Sequence, residues 1–216
     1  MKNGFLKITS IICCLSILVG FTSCNKNSSY GETVILLGTE SYIVTLDDML
    51  PDSLKVVFPQ HFGQIPEGYI PPNVEGEYKI NQKEFCYSNF VNLFDNTDMY
   101  LRISKQHNRK ATVEFYEGGT VITDTAYVMG YDQYFTLYFR EIKEMTLSDH
   151  TAAVDRCVVF SGEKTAEGIK DLKFGSIILN AQQGDNPFIG NFIPGWYFIY
   201  RDKFGLSENC NWFDNQ

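Results

Sequence analysis

From residue 76 to residue 201 apolar and polar side chains alternate with a period of two, and no long stretch of helical period interrupts them. Met99, Leu101 and Ile103 fall on one side of an extended chain, with Tyr100, Arg102 and Ser104 on the other. Val113 and Phe115 stand against Thr112, Glu114 and Tyr116, and Phe135, Leu137 and Phe139 alternate with Tyr134, Thr136, Tyr138 and Arg140. Further strands are expected at residues 77–80, 85–88, 121–128, 154–161, 175–180 and 196–200. Gly118 and Gly119 accept positive φ and mark a tight hairpin. About nine strands with short connections close most economically as an up-and-down β-barrel, because closure removes exposed edges. The expected class is all-β and mainly antiparallel, with a two-sheet β-sandwich as the alternative.

Residues 33–46 are β-prone (TVILL, then SYIVTL) and suit a short strand or extended arm. Thr45 as a cap, early Asp47 and Asp48, apolar Leu50, Leu54, Val57, Phe58 and Phe62, and a stop at Gly63 predict one short or kinked helix, with Pro59 its weak point. Pro66, Pro71 and Pro72 impose an extended connector behind it. Residues 165–172 (TAEGIKDL) have the spacing of a helix of two turns at most. The tail from Gly205 onward has loop composition, docked by Trp212 and Phe213.

The N-terminus has a different pattern. Lys2 and Lys7 form a basic flank, residues 8–21 are apolar apart from Thr9, Ser10 and Ser16, and "FTSC" ends at Cys24. Such a run is too short to span a bilayer comfortably and suits the apolar region of a signal peptide. Small Thr22 and Ser23 directly before a cysteine are what a lipoprotein signal peptidase needs, since its site admits a slim chain and leaves the Cys24 thiol free for diacylglycerol transfer. "FTSC" resembles a bacterial lipobox, with Phe21 where Leu is more usual. Two or three acyl chains on Cys24 would hold the protein stably to a lipid bilayer. The expected division is a signal peptide (residues 1–23), a flexible tether (24–32), an arm with the short helix (33–75) and the barrel domain (76–216). No acidic run follows Cys24, whereas surface-exported lipoproteins often carry one, so the resemblance favours the periplasmic face of the outer membrane.

Composition narrows the partners. The net charge is −8, no Lys/Arg cluster occurs, and loss of Lys2 and Lys7 on cleavage would take the charge to −10. Nucleic acid is thereby excluded as an expected partner, because neutralising phosphates needs a basic patch. Six cysteines fall to three in the mature chain, Cys86, Cys157 and Cys210; any one pair could bridge in an exported protein, and no C-x-x-C or His-paired spacing points to metal or redox chemistry. A buried thiol serving as a small hydrophobe is expected of at least one.

The stretches "IPPNVEGEYKI" from Ile70, "YVMG" from Tyr127, "VVFSGEKTAEGIKDLKFGSIIL" from Val158 and "GWYFIYRDKFGL" from Gly195 resemble a group of lipoproteins of Gram-negative gut anaerobes with calycin-like, lipocalin-like barrels. The resemblance implies a lipocalin-like barrel with a helix before the first strand closing one end. It implies no catalytic residues and no cofactor. Gly76-Glu77-Tyr78 carries Tyr where the lipocalins proper carry Trp.

Candidate chemistry is sparse. His61, His107 and His150 read as surface residues near a helix end, in a polar turn and in a loop. Asp47 and Asp48 are explained by first-turn electrostatics. Asp124 shares a face with Ile122, Ala126 and Val128, so inside a barrel it needs a partner or a polar ligand group, unless a bulge resets the register or that end is wet. Arg156, with Val154 and Val158 two residues away on either side, could be its ion-pair partner across the interior. Two functions stay open: a membrane-tethered barrel holding a small, partly apolar ligand, and a non-enzymatic envelope scaffold or protein-interaction lipoprotein. A hollow lumen would favour the first. A solid barrel with exposed Trp196, Tyr197, Trp212 or Phe213 would favour the second.

Overall fold

The computed structural model describes residues 44–90, 97–117, 119–147, 150–182 and 193–215. Cys24, the tether and all but the end of the β-prone arm lie outside the described residues. Ten strands form one sheet: β1 (Gly76–Ile80), β2 (Lys83–Ser88), β3 (Met99–His107), β4 (Lys110–Glu117), β5 (Thr120–Tyr131), β6 (Tyr134–Leu147), β7 (His150–Lys164), β8 (Gly168–Gln182), β9 (Tyr197–Asp202) and β10 (Leu206–Asn209). β1, β3, β4, β5, β6, β7 and β8 follow one another in space, and β10 closes the ring by pairing with both β8 and β1. Farther along β8, β9 takes the place of β10 as its neighbour, and β2 pairs with β9. All these ladders are antiparallel, so the fold is the expected all-β barrel.

Side chains at alternate positions point into the barrel and fill it. Phe115 on β4 packs against Phe139 on β6, Phe160 on β7 and Phe174 on β8, with ring centroids 5.8, 5.9 and 6.4 Å apart. Phe174 in turn meets Phe198 and Tyr200 on β9. Rings from non-adjacent strands touch, so at this level the interior is a close-packed core.

The opposite face of β6 to β9 is covered as well. Tyr138, Cys157, Val159, Ile177, Tyr197 and Ile199 point outward and are buried beneath Leu46, Leu50, Leu54, Phe58 and Phe62. Gly175 on β8 lets this layer approach: a Cβ there would lie 2.9 Å from the Phe58 ring and 3.0 Å from Phe62. Burial on both faces explains the unbroken apolar runs around residues 157–160 and 196–200, where a half-solvated strand would alternate.

Two short helices, α1 (Leu46–Met49) and α2 (Val57–Phe62), supply the covering layer. Thr45 caps α1 in a reciprocal capping box with Asp48, and Gly63 ends α2 at φ 94°. The expected single helix is interrupted, and not at Pro59. Pro51 forces Leu50 into an extended conformation (ψ 140°) and ends α1, whereas Pro59 sits in the first turn of α2, where its missing N–H is no loss. The helices lie along the outer wall, so they do not close a barrel end as the resemblance implied.

Two further expectations are corrected. Residues 165–172 form no helix: Ile169 and Leu172 are both buried within β8, and their spacing of three comes from a bulge in which Asp171, at φ 51°, is the extra residue against β7. The tail beyond Gly205 contains β10, whose four residues are too few to show a period. Trp212 and Phe213 do dock it, Trp212 stacking on Tyr100 at 4.5 Å and Phe213 lying beneath the Arg102 guanidinium.

Candidate functional site

Of the two interior residues singled out from sequence, Arg156 is wholly buried. Its Nη2 donates to Glu117 at 2.8 Å, its Nε donates to Glu141, and its Nη1 donates to Ser176 at 3.3 Å. The guanidinium also lies 5.8 Å from the Phe115 ring centroid. Burial pulls its pKa down, but the attraction of Glu117 and Glu141 outweighs that and holds it above the ordinary arginine value. The expected pairing with Asp124 is therefore corrected, because the β-strand register sets Glu117 and Glu141 around the guanidinium. Asp124 does lie on the inward face of β5, opposite Val113 in a ladder with no bulge, and accepts a hydrogen bond from the Thr125 amide at 2.6 Å. It is half-buried, so the wet-end reading fits it best.

A cleft lies outside the barrel, between the helical layer and strands β5 and β6. It is a shallow recess, partly open to solvent, whose enclosed part has room for little more than a water molecule. Its walls are apolar, formed by Leu46, Leu50, Pro59, Ile65 and Met129, and the polar residues that border it, Thr45, Asp47, Glu67, Thr136 and Tyr138, expose almost no polar surface to it. Each is fixed by local structure. The Thr45 cap sets Asp47 in the first turn of α1. The connector carrying Glu67 is pinned to β5, where the Gly130 amide donates to the Gly68 carbonyl at 3.1 Å; a Cβ on Gly68 would fall 2.3 Å from the Gly130 oxygen. Tyr138 donates its hydroxyl to the Val44 carbonyl at 2.7 Å, tying the chain before α1 to the barrel.

Two features of this cleft are unsatisfied. Thr136 points outward from β6, is 1% exposed, and its hydroxyl has no hydrogen-bond partner. Such a group loses about 1–3 kcal/mol relative to one that is paired. Glu67 is half-buried beside Asp47; burial, and then the Asp47 charge, push its carboxyl from 4.5 up to about 7. Burial also raises Asp47, against the attraction of Lys55. Lys55 itself is engaged with Asp52 at 2.7 Å.

The Glu67 shift has a stability consequence. Its folded pKa lies above its unfolded one, so the unfolded chain gives up the proton first, and stability falls as pH rises from about 4.5 to about 7. Glu67→Gln removes that loss. Allowing for the solvent exposure of the group, we expect the variant to melt about 2–4 °C above the parent at pH 8 and level with it at pH 4, read by thermal unfolding across that range.

The remaining sequence candidates do not converge. Cys86, Cys157 and Cys210 are free thiols, exposed, buried and half-buried respectively. Cys157 lies in the layer beneath the helices, where burial pushes its thiol up to about 12, the inert buried hydrophobe expected of one of them. His61 is exposed and stacks on Tyr87 at 3.7 Å, and His107 is exposed at the β3–β4 turn. No cluster of His, Cys, Asp and Glu suited to a metal ion occurs among the described residues. Trp196, Trp212 and Phe213 are half-buried against aromatic neighbours of this chain, and Tyr197 is buried.

Sequence reasoning passed over Glu67 and Thr136. Glu67 sits in a proline-rich connector, and Thr136 falls on the polar side of a clean alternation; only knowledge that this side is covered reveals either. Comparison with protein-family models, with curated proteins and with solved structures returned no match.

Proposed function

We propose that the protein is a lipid-anchored envelope protein, held through acylated Cys24 to the periplasmic face of the outer membrane, that binds a small, partly apolar ligand and catalyses no reaction. The ligand's place is the cleft outside the barrel. The filled interior argues against a ligand in the lumen, and the engaged aromatics argue against a surface patch of Trp and Phe. The observation that carries the reading is the unpartnered Thr136 hydroxyl, buried beneath an apolar cleft, since binding sites are mostly apolar with a few polar groups.

A second reading, an envelope scaffold, draws support from β6. Its pairing with β5 ends at Tyr138, so among the described residues its later part pairs with β7 alone, and Ile142 there is 78% exposed. A free strand edge of that kind can accept a strand from a protein partner.

Cys24→Ala is expected to move the protein from the membrane fraction to the soluble periplasmic fraction; unchanged membrane association would overturn the anchor. Native mass spectrometry of the protein taken gently from its own membrane separates the two readings. An added mass of a few hundred daltons, lost on denaturation and absent from a Thr136→Val variant, supports the cleft, whereas a bare acylated mass turns the assignment to the scaffold.

A further inference from the structure

Strands β5 and β6 separate beyond the Tyr127–Tyr138 pair. Residues 120–126 of β5 pair with β4, and the part of β6 beyond Tyr138 has only β7 as a neighbouring strand among the described residues. The outward row of β6 that is covered at Thr136 and Tyr138 continues there as Arg140, Ile142 and Glu144, and all three are exposed. Charges on a strand edge ordinarily deter pairing, but these are arranged to permit one partner. Residues 140–144 read Arg-Glu-Ile-Lys-Glu, and reversal about Ile142 sets each charge against its opposite: Arg140 against Glu144, and Glu141 against Lys143. An antiparallel pair of identical strands imposes that reversal, because its two-fold axis makes residue i face residue j and j face i.

We infer that this edge of β6 pairs antiparallel with the same edge of a second copy of the chain, with the two-fold axis at Ile142. This rests on the strand-edge reading above and names its partner; it is independent of the cleft. The ladder runs from Phe139 to Met145. On its outward face Arg140 of each copy lies opposite Glu144 of the other, and the two Ile142 side chains meet between these charge pairs. Opposite charges and apolar residues set directly across an antiparallel ladder stabilise it. Arg140 is held on that face by Asp155, to which its Nε donates at 2.7 Å, while its side chain stays 61% exposed. Glu141 points inward to Arg156, so the outward row carries the recognition. An unrelated strand offers the same main-chain groups without the matched charges, which is why a second copy fits better. A ladder of this length is a small interface, so the dimer is weak in dilute solution, and copies anchored in one membrane meet at higher local concentration.

The test reads register and charge separately, in the full chain. In its own membrane, with Cys86→Ser and Cys210→Ser as background, Ile142→Cys should form a disulfide-linked dimer on mild oxidation, because facing residues stand about 4.5–5.5 Å apart at Cα. Arg140→Cys and Glu144→Cys should not link to themselves, since each lies roughly 14 Å from its counterpart, but should link to each other when the two variants are co-expressed. In sedimentation of the acylated mature protein in detergent, Glu144→Arg and Arg140→Glu should each weaken self-association about tenfold, because like charges then face each other. Mixing these two variants should restore association, every facing pair being opposite in charge again. Thermal unfolding of each variant alone checks that it is folded. Self-linking at 140 or 144 in place of 142, or a mixture no more associated than either variant alone, would overturn the two-fold ladder. Absence of a linked dimer at 142, with a different envelope protein linked there instead, would overturn the second copy and keep the edge as a scaffold site. No link of either kind at 142 would overturn both.

Discussion

Arg156→Ala is expected to lower the free energy of unfolding by about 3–5 kcal/mol, because it removes a buried guanidinium bonded to two buried carboxylates. The guanidinium is fully buried, and the side chains of Glu141 and Glu117 are only 5% and 14% exposed. Little water reaches either acid once the arginine is gone. Arg156→Met separates charge from volume: it refills most of the space yet still deprives Glu117 and Glu141 of the guanidinium, so it should retain most of the loss. The triple variant R156M/E117L/E141L should recover it, since an apolar set of similar volume is commonly as stable as a buried ion cluster. Acid gives an independent check. In Arg156→Met both carboxyls lose the attraction of the guanidinium while staying buried, so the deficit should shrink as pH falls from 7 to 5 and the acids take up protons. Urea unfolding with an unchanged m-value measures all of this. A single variant within 1 kcal/mol of the parent at pH 7 would show that the cluster is hydrated and the barrel open at that end.

The course of the barrel wall was readable from period-two segments because most strands have one face in the core and one face polar. Met99, Leu101 and Ile103 are buried as their alternation requires, and so are Phe135, Leu137 and Phe139. Legibility failed where a second layer or an extra residue altered the period. Thr136 and Tyr138 read as solvent-facing because they alternate with buried residues, yet the helical layer buries them too. Ile169 and Leu172 read as helical because a bulge widened a strand spacing from two to three. Asp124 was placed on the correct face by counting, but its distance from Arg156 depended on stagger between strands, which no single segment encodes. Glu117 and Glu141 were ordinary strand carboxylates until register set them around one guanidinium. The cleft was invisible for a related reason. Its two acids come from a helix turn and a proline-rich connector some twenty residues apart, and only the Gly68 approach to Gly130 brings the second one over β5.

Phe160→Ala is expected to destabilise the protein by about 3–5 kcal/mol and to open a dry void of roughly 100 Å³ in the barrel. Phe160 is the better probe of the interior than Phe115, because Phe115 also carries the Arg156 guanidinium over its ring and the two effects would not separate. Its own neighbours, Phe115 at 5.9 Å and Phe174 at 5.1 Å, are rings held by β4 and β8, so they have little freedom to collapse into the gap. The void would be walled by aromatic carbon, which stays empty of water and admits a small apolar guest. Benzene should therefore raise the melting temperature of Phe160→Ala by several degrees and leave that of the parent unchanged. A parent protein that is itself stabilised by benzene, together with a variant that loses less than 1 kcal/mol, would mean that the lumen already holds space for a ligand. The binding site would then move from the outer cleft to the inside of the barrel, and Thr136 would lose its assigned role.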